Sequence, residues 1–251
     1  MKRIILWLTP VVVLAAFAAL YFRPDTEERE PATVTAPTPA APPAIRYPLE
    51  PTPEPLPLLA ESDSNISDAL IALFGKRLYN LINLQNIVQR IVATVDNLPR
   101  DHVSMRLMPV KPLKGLPLTT NMEGSVAFSP SNASRYEPYV RLAEAVPSDA
   151  LVAVYLRFYP LFQQQYENLG YPGMYFNDRV VEVIDHLLAT PEVQEPLRLV
   201  QPGILYEFED QYLESLSAGQ KLMLRMGQAN RLKLTSKLRE IRGALTSAMP
   251  Q

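Results

Sequence analysis

The sequence predicts a mainly α protein: a compact helical domain with a few short extended segments, behind a single N-terminal transmembrane helix and a Pro-rich linker. Three observations predict it. An uncharged apolar run stands near the N-terminus, a proline-dense stretch without glycine follows, and apolar residues then recur at three- and four-residue spacing. The expected units are a membrane anchor over 1–23, an extended linker over 24–57 and a helical domain over 58–248.

Residues Ile4 to Phe22 run for 19 residues without a charge, and about 20 apolar residues span a bilayer as a helix. Lys2 and Arg3 precede the run, and Asp25, Glu27, Glu28 and Glu30 follow Arg23. Positive charge stays on the cytoplasmic side, so the N-terminus is expected inside and the domain outside. A cleaved signal peptide is the rival reading, with Ala16-Phe17-Ala18 as a small-x-small site. Both readings export the domain.

Pro24 to Pro57 holds 11 of the chain's 25 prolines. Proline lacks an N–H and clashes with a preceding helical turn, so this stretch is expected as extended polyproline II. It serves either as a semi-rigid spacer or as a plain solvated linker. A PxxP ligand for an SH3-like partner is a weaker possibility, since proline-rich stretches always contain such matches.

Within the domain, Ile66, Leu70, Leu73 and Phe74 share a helical face behind a cap at Ser62, Asp63 or Ser64, with Gly75 as terminator. Residues 84–98 repeat the pattern, and Pro99 stops them. Prolines and glycines break the chain between Met108 and Pro117, and Thr119 to Phe128 alternates around Glu123-Gly124, which predicts a small hairpin. Ser129-Pro130 starts a helix. Ser148 is expected to cap the next one, which runs from Leu151 to Leu169 and kinks or splits at Pro160. Asn177 is expected to cap a helix from Asp178 to about Ala189. Ile204 to Phe208 is read as extended, and Ser217-Ala218-Gly219-Gln220 as a capping box. Leu234, Leu238, Ile241 and Leu245 place a final amphipathic helix.

The segments RIVATVDNLPR (90–100), RYEPYVRL (135–142), RFYPLFQQQYENLGYP (157–172), FNDRVVEVIDHLLATPEV (176–193) and LSAGQKLMLRMG (216–227) resemble a bacterial family catalogued as a domain of unknown function, number 3014. The resemblance covers roughly residues 56–246. It implies a bacterial source, a membrane segment and a proline-rich spacer, and it transfers no activity or catalytic residue.

Composition excludes several chemistries. With no cysteine, thiolate metal sites, disulfides and cysteine nucleophiles are impossible. His102 and His186 are the only histidines, too few for a three-histidine zinc site. The formal net charge of -2 asks for no nucleic acid partner. There is no G-x-S-x-G elbow, P-loop, G-x-G-x-x-G or S-x-x-K motif. No cofactor and no metal is expected.

Three groups remain as candidates. Asp178, Glu182 and His186 stand at i, i+4 and i+8, with Asp185 beside them, so one helical face could supply a general acid and base or bind a cation. The bland reading is a solvated face opposite Val181, Ile184 and Leu188. The second group is aromatic. Ten of the 21 aromatic residues lie between Tyr136 and Phe176. Most are expected as core, with Tyr136, Tyr139, Tyr171 and Tyr175, aided by Arg157, as candidates for a groove taking peptide or glycan. The third is residues 220–242, where seven cations face the single acid Glu240; this is either a solvated face or an anionic-partner site. Glu137, Glu182 or Glu207 could serve a two-carboxylate hydrolase, though no feature selects one.

The leading expectation is a non-enzymatic binding or scaffold module of the bacterial cell envelope, held at the inner membrane through residues 4–22, with its domain in the periplasm. Its partner would be an envelope protein or the cell wall. The alternatives are an envelope-polymer hydrolase using the carboxylate and histidine face, and an accessory subunit of a membrane assembly.

Overall fold

The computed structural model describes residues 44–50, 55–122 and 124–248. The anchor and most of the linker lie outside the described residues. Among the described residues no helix is long and apolar enough to cross a membrane.

The domain is mainly helical. Helices α1 (Asp63–Phe74), α2 (Leu78–Leu81) and α3 (Ile87–Asn97) come first. A hairpin of β1 (Thr119–Met122) and β2 (Ser125–Phe128) follows, then α4 (Glu137–Glu144), α5 (Ser148–Asn168) and α6 (Phe176–Leu188). Strands β3 (Arg198–Val200) and β4 (Glu207–Phe208) precede α7 (Gln211–Glu214), α8 (Ala218–Arg225) and α9 (Gln228–Ser247). Short 3-10 turns stand at Leu59–Glu61, Met105–Leu107 and Pro130–Arg135.

Helix α5 is the hub. It packs against α1, α3, α6 and α9, and Phe158, Tyr159, Leu161, Phe162 and Tyr166 are all buried. A helix apolar nearly all round has to sit at the centre of the core. Of the kink or split expected at Pro160, the split does not occur: α5 runs unbroken through it. The lost backbone bond is outweighed by the side chains that burial of both flanks removes from water.

The strands form one antiparallel sheet in the order β1-β2-β3-β4. Thr120 pairs with Ala127, Ala127 with Arg198, and Leu199 with Phe208. Leu199 and Phe208 are buried with Leu197, Leu213 and Leu224 in a core of their own. The hairpin was legible in the sequence; the joining of β2 to β3 across 70 residues of chain order was not.

Several expected caps act differently. Ser62 donates to Leu59 O at 2.8 Å. Asp63 instead accepts from the N–H groups of Asn86 (2.6 Å) and Ile87 (3.0 Å), and so closes the N-terminus of α3. Ser148 does not cap α5; it donates to Glu240 of α9 at 2.7 Å. Helix α6 begins at Phe176, so Asn177 lies inside it and is wholly buried. Ser217 does accept from Gln220 N, at 3.2 Å, as a capping residue should.

The expected boundary between linker and domain is residue 58, yet residues 46–49 already lie on the domain. Asp178 accepts from the N–H groups of Arg46 (2.9 Å) and Tyr47 (2.8 Å). Asn177 Nδ2 donates to Tyr47 O at 2.9 Å, Leu49 N donates to the Tyr175 hydroxyl at 2.7 Å, and the Leu49 side chain is buried. Asp178→Ala removes two charge-assisted bonds from this strap. We expect tryptic cutting after Arg46 to speed up on the order of tenfold, from a net loss of about 1.5 kcal/mol. Unchanged digestion kinetics would show that the strap is held by something else.

Candidate functional site

The four polar residues singled out on α6 do not converge. Asp178 holds the strap. Glu182, half exposed, pairs with Arg179 at 2.9 Å. Asp185 forms an ion pair with Arg242 of α9. His186 Nε2 lies 2.8 Å from Ser217 Oγ. Among the described residues no group of three or more His, Asp or Glu is placed to hold a metal ion. Burial, and then the Arg179 charge, push the His186 pKa down, with Glu182 opposing, so the ring is held toward its neutral form. Its contact is with a helix-capping hydroxyl, since Ser217 Oγ is also the group that accepts from Gln220 N.

The aromatic candidates divide. Tyr175 packs at a tilt against Tyr159 with centroids 5.3 Å apart, while its hydroxyl serves the strap. Tyr171 stacks on Tyr166 at 4.7 Å. Tyr136 is half-buried beside α6 and α8, and burial raises its pKa. Tyr139 donates to Lys111 O at 3.0 Å. Arg157 is exposed, its guanidinium 5.3 Å from the Phe158 ring. Tyr171 and Tyr175 pack against α5, whereas Tyr136 packs against α6 and α8 and Tyr139 reaches Lys111, so these tyrosines serve different parts of the fold.

The basic stretch is also largely committed to the fold. Lys221 pairs with Glu214 at 2.8 Å, Lys233 with Glu144 at 3.4 Å, and Arg242 with Asp185. Buried Arg231 donates to Pro191 O, buried Lys237 donates to Val146 O, and Arg225 lies over the Phe208 ring. These contacts fasten α9 and α8 to the rest of the domain. Arg239 is the one of the seven that is exposed with no partner among the described residues.

A polar hub that sequence reading missed lies between α3, α6 and the 171 loop. Asp96, 3% exposed, accepts from Arg100 at 2.6 Å, the Tyr171 hydroxyl at 3.0 Å and Arg179 Nε at 3.2 Å. Arg179 also donates to Asp96 O at 2.8 Å. Burial first, and the Asp96 charge next, push the Tyr166 pKa up to about 12. The signal was available: Asp96 continues the i, i+4 row of buried Val88 and Val92, where an aspartate needs partners. Three donors converge on a carboxylate that is closed off from solvent, so the hub holds elements together.

What stays open is one end of the sheet. Val200 pairs with Glu207 and Met122 with Ser125. Continuing the β2–β3 register puts Ser125 opposite Val200, so all four residues share the last rung. Beyond it runs the β3–β4 turn, where Ile204 is 91% and Leu205 76% exposed. Met122 and Val200 are exposed too. Turns ordinarily carry polar residues, and a group of large apolar side chains in water marks an interaction surface. Glu192, Glu207, Glu209 and Asp210 are exposed in the same part of the chain, against the single exposed cation Arg198. Next to Met122 opens a cleft of about 520 Å³, lined by Thr120, Phe128, Leu197, Leu224 and Arg225 among others.

A family model described as "Protein of unknown function (DUF3014)" matches residues 87–242. The chain belongs to the DUF3014 family. No curated protein and no solved structure matches it. The DUF3014 region spans β1 to β4, the Asp96 hub and most of α9, so the buried hub and the open sheet end both lie inside the family unit.

Proposed function

We propose that this DUF3014 chain is a non-enzymatic binding or scaffold module of the bacterial cell envelope. Residues 4–22 tether it to the inner membrane, and the domain works in the periplasm. The reading is carried by the exposed apolar end of the sheet at Val200, Ile204 and Leu205 beside exposed acids. Such chemistry suits a protein partner that offers apolar side chains flanked by Lys or Arg. The buried hub, closed off from solvent, and the scattered carboxylates support binding over catalysis.

The test uses the full-length chain, crosslinked in its native envelope and purified under denaturing conditions. Ile204 and Leu205 are solvent-exposed, so the double substitution Ile204→Ser, Leu205→Ser leaves the core intact. If they anchor the partner, their loss costs about 2 kcal/mol or more, on the order of a 30-fold weaker Kd, and the crosslinked partner disappears. Arg239→Ala, at an exposed position of α9, leaves it in place. A partner retained by the double variant would sink this assignment of the surface.

A further inference from the structure

The two edges of the sheet are finished differently. In an antiparallel pair, opposite residues alternate between those that exchange backbone bonds and those whose N–H and C=O point away. Ser129 N donates to Leu118 O at 2.9 Å, and Phe128 N donates to Leu197 O at 3.1 Å. These two bonds set the alternation. Leu118 O and the backbone groups of Thr120 and Met122 face β2, with the Leu118 N–H donating to Asn132 Oδ1 at 3.0 Å, whereas Thr119 and Asn121 direct theirs outward, where no partner meets them among the described residues. At the opposite edge the outward N–H of Phe208 is stoppered by the Glu214 carboxylate at 2.8 Å, itself held by Lys221.

Proteins normally blunt an open edge with charge, proline or a bulge. From Leu118 to Met122 there is neither a charged residue nor a proline, and the uncharged run extends over residues 116–122. Leu118 is 45% and Met122 43% exposed, and each stands two residues from Thr120.

We propose that β1 pairs with β1 of a second copy of this chain, antiparallel about a twofold axis at Thr120, joining two four-stranded sheets into one. The alternation dictates the register. Thr119 exchanges both backbone bonds with Asn121 of the second copy, and Asn121 with its Thr119. Thr120 then faces Thr120 in a non-hydrogen-bonded pair, where side chains approach most closely. The same register sets Leu118 against Met122 of the second copy, and the twofold repeats that contact. Two half-exposed apolar residues thus cover each other, and a slip of one residue sends them to opposite faces. The uncharged segment meets its copy without repulsion. The contact is isologous, and the stoppered β4 edge ends growth at the dimer. This inference stands apart from the partner proposed for the Ile204–Leu205 end.

Because the chain has no cysteine, an introduced thiol can join only its own copy. The full chain in detergent micelles carries either Thr120→Cys or Asn121→Cys and is mildly oxidised. Facing Cα atoms about 4.5 Å apart in a non-hydrogen-bonded pair lie within disulfide reach, so Thr120→Cys is expected to crosslink. The two Asn121→Cys thiols are offset along the strands by about 7 Å and are expected to stay apart. Light scattering of the unmodified chain should give the dimer mass. Asn121→Pro, which removes an outward N–H and leaves the bonds to β2, should give the monomer. Equal crosslinking at 120 and 121, no crosslinking at 120, or a dimer that survives Asn121→Pro overturns the proposal. If a variant fails to fold, a monomer mass for the unmodified chain overturns it alone.

Discussion

Asp96→Ala is expected to destabilise the domain by about 3–5 kcal/mol, the cost of breaking a buried ion pair from one side. The carboxylate is 3% exposed and receives Arg100, Arg179 and Tyr171 together. Arg100, with a side chain 53% exposed, turns to water when the acid is lost. Arg179, only 18% exposed, cannot do so fully, and the Tyr171 hydroxyl loses its acceptor. Helix α6, the 171 loop and α3 then lose their common fastening. Urea unfolding of the full chain measures the effect, and the loss approaches total stability for a domain at the lower end of the usual 5–15 kcal/mol range. Arg100→Ala should cost about 1 kcal/mol or less, because the lost guanidinium is half in water and Arg179 and Tyr171 still hold the carboxylate. Equal effects at Asp96 and Arg100 would contradict the hub as described.

The second large effect is expected at Gly219. A Cβ placed there lies 2.6 Å from Leu187 Cδ2 and 3.0 Å from Leu98 O. The leucine can turn, but the carbonyl cannot, because it accepts from Gly219 N at 2.9 Å. Gly219→Val must therefore push α8 off the C-terminal end of α3, at about 1–3 kcal/mol. The shift also separates Ser217 from His186 and Gln220 from His186 O, which it meets at 3.3 Å. Thermal melting of the full chain reads the loss, and a loss of the His186–Ser217 bond should appear in the histidine NMR signals. A melting temperature equal to that of the parent would mean that α8 has room the geometry denies it.

Both positions show why the sequence revealed part of the architecture and hid the rest. The 3.6-residue rhythm places α1, α3, α5, α6 and α9 because it reports which face of a helix is buried. It carries no information about which distant group meets a polar residue. Asp178 was read with Glu182 and His186 as a face that might act on a ligand, and it holds residues 46–47, more than 130 positions away. Asn177 has the right type for a cap, yet Tyr47 and Tyr155 claim its side chain inside the core. The cations of α8 and α9 look like a patch in one dimension. In three dimensions Glu144, Glu214 and Asp185, from other elements, neutralise three of them. The open end of the sheet was hidden for the same reason, since Met122 and Val200 become neighbours only through the β2–β3 pairing.

The account stands on the claim that the Ile204–Leu205 end of the sheet meets a protein partner in the envelope. The most direct test places a photo-crosslinking amino acid at Leu205 in the full-length chain, in living cells, with a matched probe at Arg239. The account predicts a discrete protein adduct from position 205, none from 239, and loss of the 205 adduct when Glu207 and Glu209 are reversed to Lys. No adduct at 205 from a correctly exported protein, or an adduct indifferent to the charge reversal, would contradict it.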